Sequence, residues 1–253
     1  MARRGRTPVR RWRMERRWPR GFVSPYRGTM RSEASVLSVN VAVARDNRHK
    51  SGQQTGIDKR PAEGPVEVRS PGSRHDGLGS GLVGDFVGDR RHHGGDDQAV
   101  YAYAVEDLHW WAGQLSAAVD AGRFGENLTT HGVDVSGAVV GERWAVGADV
   151  VLQVTDPRIP CGTFRGYMDR PGWLKTFTRA ARPGSYLRVV TPGTVCRGDR
   201  IEIMHRPDHG VTVSMVLRAL TTEPELLPQI LAAPELVPET RHMAEAGKTF
   251  SLR

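Results

Sequence analysis

One cysteine in a loop bounded by prolines is the residue of this sequence best suited to carry chemistry. Cys161 ends the run Asp156-Pro-Arg-Ile-Pro-Cys161, which follows an apolar segment typical of a buried strand. Pro157 and Pro160 each fix φ and push the preceding residue towards extended geometry, so they predict a stiff, non-helical loop. Arg158 would favour the thiolate over the thiol. The pattern indicates a reactive or metal-binding cysteine, and a small buried side chain without chemistry is the alternative.

A histidine in a glycine-rich loop is the second candidate. His93 is followed by Gly94 and Gly95, and an imidazole titrates close enough to neutrality to serve as an acid–base group. The alternative is a solvated loop whose glycines shape a turn. A Cys–His hydrolase would require Cys161 beside His93, which the sequence leaves open. A Ser–His–Asp hydrolase is not indicated, because the chain lacks a G-x-S-x-G motif.

Two basic residues and one amide could bind a ligand. Lys59 and Arg60 lie in the first long loop and could hold an anionic group, although such residues often form solvated surface. Asn127 follows a glycine-containing turn and could donate and accept hydrogen bonds, a property that also suits a turn residue. For each of them the structural and the ligand-binding interpretations stay open.

The positive charge of the chain is concentrated at its start. The 253 residues carry a formal net charge of +8, but residues 1–31 hold eleven of the 36 Lys and Arg and one of the 28 Asp and Glu. The remainder has 25 basic and 27 acidic residues, so nucleic acid is not an expected partner of the fold. Residues 1–29 could be a transit peptide, a nucleic-acid arm or a membrane-surface patch, or could precede a start of translation at Met30. If they are made, their composition predicts disorder.

The number of cysteines limits which cofactors the chain can bind and indicates the redox compartment. Cys161 and Cys196 are the two cysteines of the chain, too few for a disulfide scaffold or for the four thiolates of an iron–sulfur cluster. No apolar run is long enough to cross a bilayer, so no membrane partner is expected. We therefore expect a reducing, cytoplasmic setting.

Many short strands with peripheral helices predict a mainly β, α+β fold that resembles a barrel. The predicted strands are Val36–Ala44, Pro65–Arg69, Ala138–Val146, Asp149–Val154, Tyr186–Val190, Asp199–Met204 and Val211–Val216. The predicted helices are Ala99–Val119, Arg170–Ala180 and a proline-broken helical stretch over Glu223–Gly247. The lack of βαβ alternation counts against a doubly wound nucleotide-binding fold.

Eight motifs follow one another along the chain. They are Thr55-Gly-Ile-Asp-Lys-Arg-Pro61, Glu63-Gly-Pro-Val66, Leu82-Val-Gly-Asp85, His93-Gly-Gly-Asp-Asp-Gln-Ala-Val-Tyr-Ala-Tyr103, Gly125-Glu-Asn-Leu-Thr129, Val140-Gly-Glu-Arg-Trp144, Pro157-Arg-Ile-Pro-Cys161 and Arg182-Pro-Gly-Ser-Tyr-Leu-Arg-Val189. In this order they resemble the MOSC domain, the family named after the C-terminal domain of molybdenum-cofactor sulfurase. The branch looks like the stand-alone bacterial proteins that reduce N-hydroxylated bases and amines such as hydroxylaminopurine.

The resemblance implies a barrel-like MOSC domain over residues 30–217 and a C-terminal helical extension over 218–253. It also implies a molybdenum cofactor (Mo-molybdopterin), independent of pyridoxal phosphate, whose metal takes Cys161 as a ligand. His93 would be a catalytic partner of that cysteine. The residues that would bind the anionic groups of the cofactor or line its pocket are Lys59, Arg60, Gly94, Gly95, Asn127 and Arg158.

The function that the resemblance implies is the two-electron reduction of an N–OH group in a small-molecule substrate, giving the amine and water. An external reductase or small redox protein would supply the electrons, because the chain has no ligand set for an iron–sulfur cluster. Two alternatives stay open. One is a non-catalytic carrier of molybdenum cofactor or sulfur through Cys161, and the other is a nucleic-acid-associated protein anchored by the Arg-rich start.

Overall fold

An eight-stranded mixed sheet lies at the centre of the protein in the computed structural model, which describes residues 33–251. The strands of this range are β1 (Ser35–Val41), β2 (Arg45–Asp46), β3 (Gln54–Thr55), β4 (Arg60–Pro61), β5 (Val66–Val68), β6 (Val100–Ala104), β7 (Leu128–His131), β8 (Arg143–Val146), β9 (Val150–Pro157), β10 (Ser185–Thr191), β11 (Gly193–Val195) and β12 (Ile201–His205). The main sheet has the order β12-β8-β9-β10-β6-β7-β1-β4, and β5 with β11 and β2 with β3 form two small sheets. The Arg-rich residues 1–29 lie outside the described range.

The main sheet curls without closing. Its pairings are antiparallel except between β6 and β7, and β12 and β4 stand at its two edges. One isolated bridge between Ser35 and Arg200 brings the start of β1 to the residue before β12. Beside it the backbone N–H of Ile201 donates to the carbonyl of Ala34 at 2.7 Å. The α+β class is therefore confirmed, whereas the strands of residues 33–251 do not show the barrel-like closure expected from the sequence.

Helices cover the sheet and form the C-terminal part of the described chain. They are α1 (Val105–Leu115), α2 (Gly162–Met168), α3 (Trp173–Ala180), α4 (Val213–Thr221), α5 (Leu227–Ile230) and α6 (Pro238–Glu245), with short 3-10 turns at Asp96–Gln98 and Pro224–Leu226. None of the helices described here is long and apolar enough to cross a membrane.

Two hydrophobic clusters hold these elements together. The larger one combines the sheet with the C-terminal helices, through residues such as Leu152, Leu187 and Leu220. The second cluster is mostly aromatic and joins β6 to α1, α2 and α3, with Phe124 from a loop. Within it Trp111 and Phe177 stack with their ring centroids 5.8 Å apart. Because aromatic side chains bury large apolar areas in specific mutual orientations, this cluster fixes α2 behind the Cys161 loop.

Residues 100–104 were predicted as the first turns of a helix and instead form β6. All five residues of β6 are buried, and the strand pairs with β10 on one side and β7 on the other. A strand that is covered on both faces has a continuous apolar sequence. It therefore lacks the alternation of apolar and polar residues that distinguishes a strand from a helix. The helix predicted over Ala99–Val119 thus begins only at Val105.

The predicted strand Val211–Val216 is also wrong, because most of it belongs to helix α4. Thr212 caps that helix, its hydroxyl accepting a hydrogen bond from the backbone N–H of Met215 at 3.2 Å. The expected boundary between residues 217 and 218 falls inside α4. The described residues 33–251 belong to one compact unit, and the C-terminal helices pack on the same core as the sheet.

Candidate functional site

Cys161 lies where strand β9 passes into helix α2. β9 ends at Pro157, and Cys161 is the extended residue that precedes α2, with its carbonyl accepting from the N–H of Arg165 at 2.9 Å. The thiol is free and partly exposed. Cys161 lines two adjoining cavities, so its sulfur is available to a ligand rather than enclosed in the core.

Arg158 places a buried positive charge beside this cysteine. Its side chain is 5 % exposed and packs over the rings of Phe164 and Tyr101, with its guanidinium carbon 4.2 and 5.2 Å from the two centroids. One guanidinium nitrogen donates to the carbonyl of Phe124, but Nε has no hydrogen-bond partner in the described part of the chain. Within residues 33–251 no carboxylate pairs with this guanidinium. A buried cation without a carboxylate partner, called uncompensated below in that sense, is suited at a cavity wall to an anionic ligand.

The surroundings of Cys161 favour its thiolate. Burial alone would raise the pKa of the thiol, but His93, the positive charge of Arg158 and the backbone N–H of Phe164 stabilise the anion more strongly. The net effect lowers the pKa of Cys161 to about 6. A thiolate that is stable at neutral pH is both a nucleophile and a soft metal ligand.

The first cavity, called here the Arg158 cavity, has a volume of about 110 Å³. The loops 54–57 and 85–89 line it together with Tyr101, Tyr186, Arg158 and Cys161. The two loops approach each other so closely that a Cβ on Gly56 would lie 2.0 Å from the carbonyl oxygen of Phe86. Glycine is therefore required there, since any side chain would separate the loops.

Asp85 organises one wall of the Arg158 cavity. Its carboxylate forms a buried ion pair with Lys59 and accepts hydrogen bonds from Ser80, from the side chain of Asn127 and from the backbone N–H of Ala42. Burial lowers the pKa of Lys59, and the attraction of Asp85 acts in the opposite direction. The charge of Lys59 is thus largely compensated by the protein, which leaves Arg158 as the uncompensated cation of this wall.

The structure brings most of the predicted site residues to the Arg158 cavity. Lys59, His93, Gly94, Asn127, Arg158 and Cys161 line it. Arg60 does not: its side chain is 66 % exposed and pairs with Asp58 at 2.9 Å. Gly95 also lies elsewhere, because its N–H donates to the carbonyl of Gly79 and it borders a separate groove beside Arg74. Arg60 and Gly95 therefore drop out of the expected cofactor pocket.

The second cavity, called here the Asp156 cavity, adjoins the first at Cys161 and has a volume of about 250 Å³. Asp156 and the cysteine-loop residues Pro157, Ile159 and Pro160 line it. The C-terminal part contributes Glu239, Thr240, Met243, Phe250 and Ser251. His93 and Tyr186 border both cavities. The sequence assigned no site role to Asp85, Asp156, Tyr101 or Tyr186. Asp85, Tyr101 and Tyr186 nevertheless stand within quoted motifs, and Asp156 begins the quoted cysteine run.

The residues present fit a molybdenum cofactor. The described part of the chain contains no cluster of three or more His, Cys, Asp or Glu side chains that could hold a bare metal ion. A metal at Cys161 would therefore take its other ligands from a cofactor. The uncompensated Arg158, with its unpaired Nε, provides the cationic partner that an anionic pterin phosphate or dithiolene requires.

Comparisons with known proteins identify the family of this α+β fold. The MOSC domain matches residues 89–202. The chain is 30% identical over 208 residues to a reductase of Gibberella moniliformis, but spans only 35% of that protein. It is 30% identical over 173 residues to the protein YiiM of Escherichia coli, with 66% of this chain and 72% of YiiM covered. The chain belongs to the MOSC domain family.

A solved structure shows the same fold. The crystal structure of YiiM from Geobacillus stearothermophilus superposes with a TM-score of 0.66 over 85% of this chain and 98% of that one, at 22% sequence identity. The resemblance inferred from the eight motifs is thereby confirmed at the level of the family and of the fold.

Proposed function

We propose that this chain binds a molybdenum cofactor, with Cys161 as the protein ligand of the metal, and reduces N-hydroxylated compounds. The observation that carries the proposal is the position of Cys161. Its thiol has a lowered pKa, lies on a wall shared by two cavities and stands beside an uncompensated guanidinium. Membership of the MOSC family and the name of the fungal relative, a reductase, support the same class of reaction.

The net reaction is R–NH–OH with two electrons and two protons giving R–NH₂ and water. When bound, the cofactor supplies the two electrons that break the N–O bond. The chain itself would hold the anionic part of the cofactor through Arg158 and fix the metal through Cys161. The proline-bounded loop keeps that sulfur in place, because Pro157 and Pro160 restrict the backbone on its N-terminal side.

We also propose that the electrons come from a separate redox protein in a reducing, cytoplasmic setting. The two cysteines of the chain cannot ligate an iron–sulfur cluster, which normally takes four thiolates. Both are free in the structure. NADH or NADPH alone should therefore give no turnover, and direct use of either nucleotide by the purified chain would refute this part of the proposal.

The test is to produce the chain in a host that makes the cofactor, to measure bound molybdenum and to assay hydroxylaminopurine with reduced methyl viologen as electron source. We expect about one molybdenum per chain and formation of the amine. Molybdenum without turnover would favour a cofactor carrier instead. Absence of molybdenum from correctly folded protein would contradict the proposal as a whole.

A further inference from the structure

The Asp156 cavity has the composition of a substrate chamber. Apolar walls come from Pro157, Ile159, Pro160, Met243 and Phe250, and Asp156 with Thr240 adds a small polar group. Small-molecule sites commonly combine such apolar walls with a few placed polar groups. This cavity has the larger of the two volumes and shares Cys161 with the Arg158 cavity. A molecule bound in it would meet the cofactor at that cysteine.

Asp156 is held in this cavity from two directions. It pairs with Tyr186 of the neighbouring strand β10, and its Oδ1 accepts a hydrogen bond from the hydroxyl of Thr240 in α6 at 3.0 Å. Although the residue keeps some accessible surface where it borders the cavity, the surrounding protein desolvates its carboxyl. No cation forms an ion pair with it among residues 33–251. A carboxyl in such a place is readily protonated near neutral pH.

We infer that the Asp156 cavity receives the N-hydroxylated substrate and that Asp156 donates a proton to the substrate nitrogen as the N–O bond breaks. This inference rests on the proposed function. When bound, the cofactor would supply the two electrons, received from the external redox protein, and cleavage of the N–O bond would leave an electron pair on nitrogen and one on oxygen. Nitrogen takes its proton from the Asp156 carboxyl and becomes the amine. Oxygen takes one from solvent and leaves as water.

Burial and the charges around Asp156 shift the pKa of its carboxyl to a value that suits a proton donor. Burial is the main effect and raises the pKa of Asp156 to about 7. Glu239 of α6 and Asp97 of the 3-10 turn raise it further, whereas the Thr240 hydrogen bond and Arg74 lower it. The other titratable groups on the cavity wall are Lys50, Asp89, His92, His93, Cys161 and Tyr186. Asp156 is therefore an effective proton donor below about pH 7 and loses its proton above it.

The test compares four cofactor-loaded proteins: wild type, Asp156→Asn, Thr240→Val and the control Asp149→Asn, which changes an exposed carboxylate near the other end of β9. For hydroxylaminopurine, kcat/KM of wild type should fall above about pH 7. Asp156→Asn should lose this pH dependence and about a hundredfold in kcat. Thr240→Val should move the fall to higher pH, because it removes a hydrogen bond that lowers the pKa of Asp156. Asp149→Asn should behave as wild type.

A second readout needs no turnover. Without an electron source, calorimetry should show hydroxylaminopurine binding that weakens over the same pH range in wild type but not in Asp156→Asn. Thermal unfolding and molybdenum content should match wild type in all variants. Turnover whose pH profile is unchanged in Asp156→Asn would overturn the inference and leave the proposed function standing. Asp156-dependent binding without turnover would support the Asp156 cavity as the substrate site and overturn the proposed reductase function. Absence of binding in every protein would overturn both the substrate site and the reductase function.

Discussion

The side-chain amide of Asn127 donates a hydrogen bond to the carboxylate of Asp85 at 2.9 Å, across 42 residues of sequence. The same amide nitrogen also reaches the carbonyl of Asn40 at 3.2 Å, and Oδ1 of Asn127 accepts from the backbone N–H of Tyr101 at 3.1 Å. Asn127 thus ties the Asp85 loop to strands β1 and β6. Its hydrogen-bonding capacity is used by the protein, so we assign it a positioning role in the wall of the Arg158 cavity.

Replacing Asp85 should destabilise the fold. Asp85→Asn removes the partner of Lys59, and the side chains of the pair are only 1% and 7% exposed. An unpaired buried charge costs about 3 kcal/mol, so the free energy of unfolding in urea should fall by that amount. Asp58→Asn is the control, because Asp58 pairs with the exposed Arg45 and Arg60 and should cost less than about 1 kcal/mol. Equal losses in the two variants would contradict this account of Asp85.

Arg158 should matter for cofactor binding and Arg60 should not. Arg158→Gln removes the uncompensated guanidinium from the cavity wall and should weaken cofactor retention by about 2 kcal/mol, roughly thirtyfold. Arg60→Gln changes an exposed cation outside both cavities and should leave retention unchanged. Molybdenum content after dialysis measures the difference. A loss in Arg60→Gln that equals the loss in Arg158→Gln would return Arg60 to the site.

The two cysteines should respond differently to the same substitution. Cys161→Ser keeps the shape of the side chain but removes the soft ligand, so we expect a folded protein with lost N-hydroxyl reduction and less molybdenum. Cys196 lies near a turn, with its sulfur 3.2 Å from Oδ1 of Asp199, and lines neither cavity. Cys196→Ser should therefore keep its activity. The assignment of the site is wrong if Cys161→Ser turns over normally.

The thiolate of Cys161 should be visible in cofactor-free protein. In a Cys196→Ser background, the rate of modification by iodoacetamide should rise through a midpoint at about pH 6 and stay flat above it. His93→Ala should move that midpoint upward, because the variant loses a group that stabilises the anion. Mass spectrometry of the modified protein follows the rate. A wild-type midpoint near the ordinary thiol value, about 8.5, would show that the surroundings do not stabilise the thiolate.

Local sequence patterns correctly predicted the strands that have one buried and one accessible face. β1 and β10 alternate buried and accessible positions over part of their length, and both were predicted. β6 is covered on both faces and was assigned to a helix. Helix α2 was missed because Gly162 and Gly166 lower its intrinsic propensity, and the packing of Phe164 and Met168 into the aromatic cluster stabilises it instead. Tertiary contacts determine the conformation of both β6 and α2. A short window of sequence does not contain those contacts.

The site was predictable where its residues are neighbours in sequence. Arg158 and Cys161 share one short loop, and their mutual effect follows from proximity alone. Asp85 acquires its role from partners at positions 42, 59 and 127, and Asp156 depends on Thr240, 84 residues away. Such contacts arise only when the sheet and the C-terminal helices assemble. Arg60 is the opposite case. It directly follows the buried Lys59 in the sequence, but its own side chain points to solvent.

The walls of the Asp156 cavity have separate origins along the chain. The cysteine loop lies within residues 89–202, which match the MOSC domain, whereas Glu239, Met243 and Phe250 lie beyond them. Substitutions in this C-terminal wall can alter the shape of the cavity without changing the residues that would hold the metal. A library confined to residues 239–251 is therefore a route to altered substrate preference that keeps the redox centre constant.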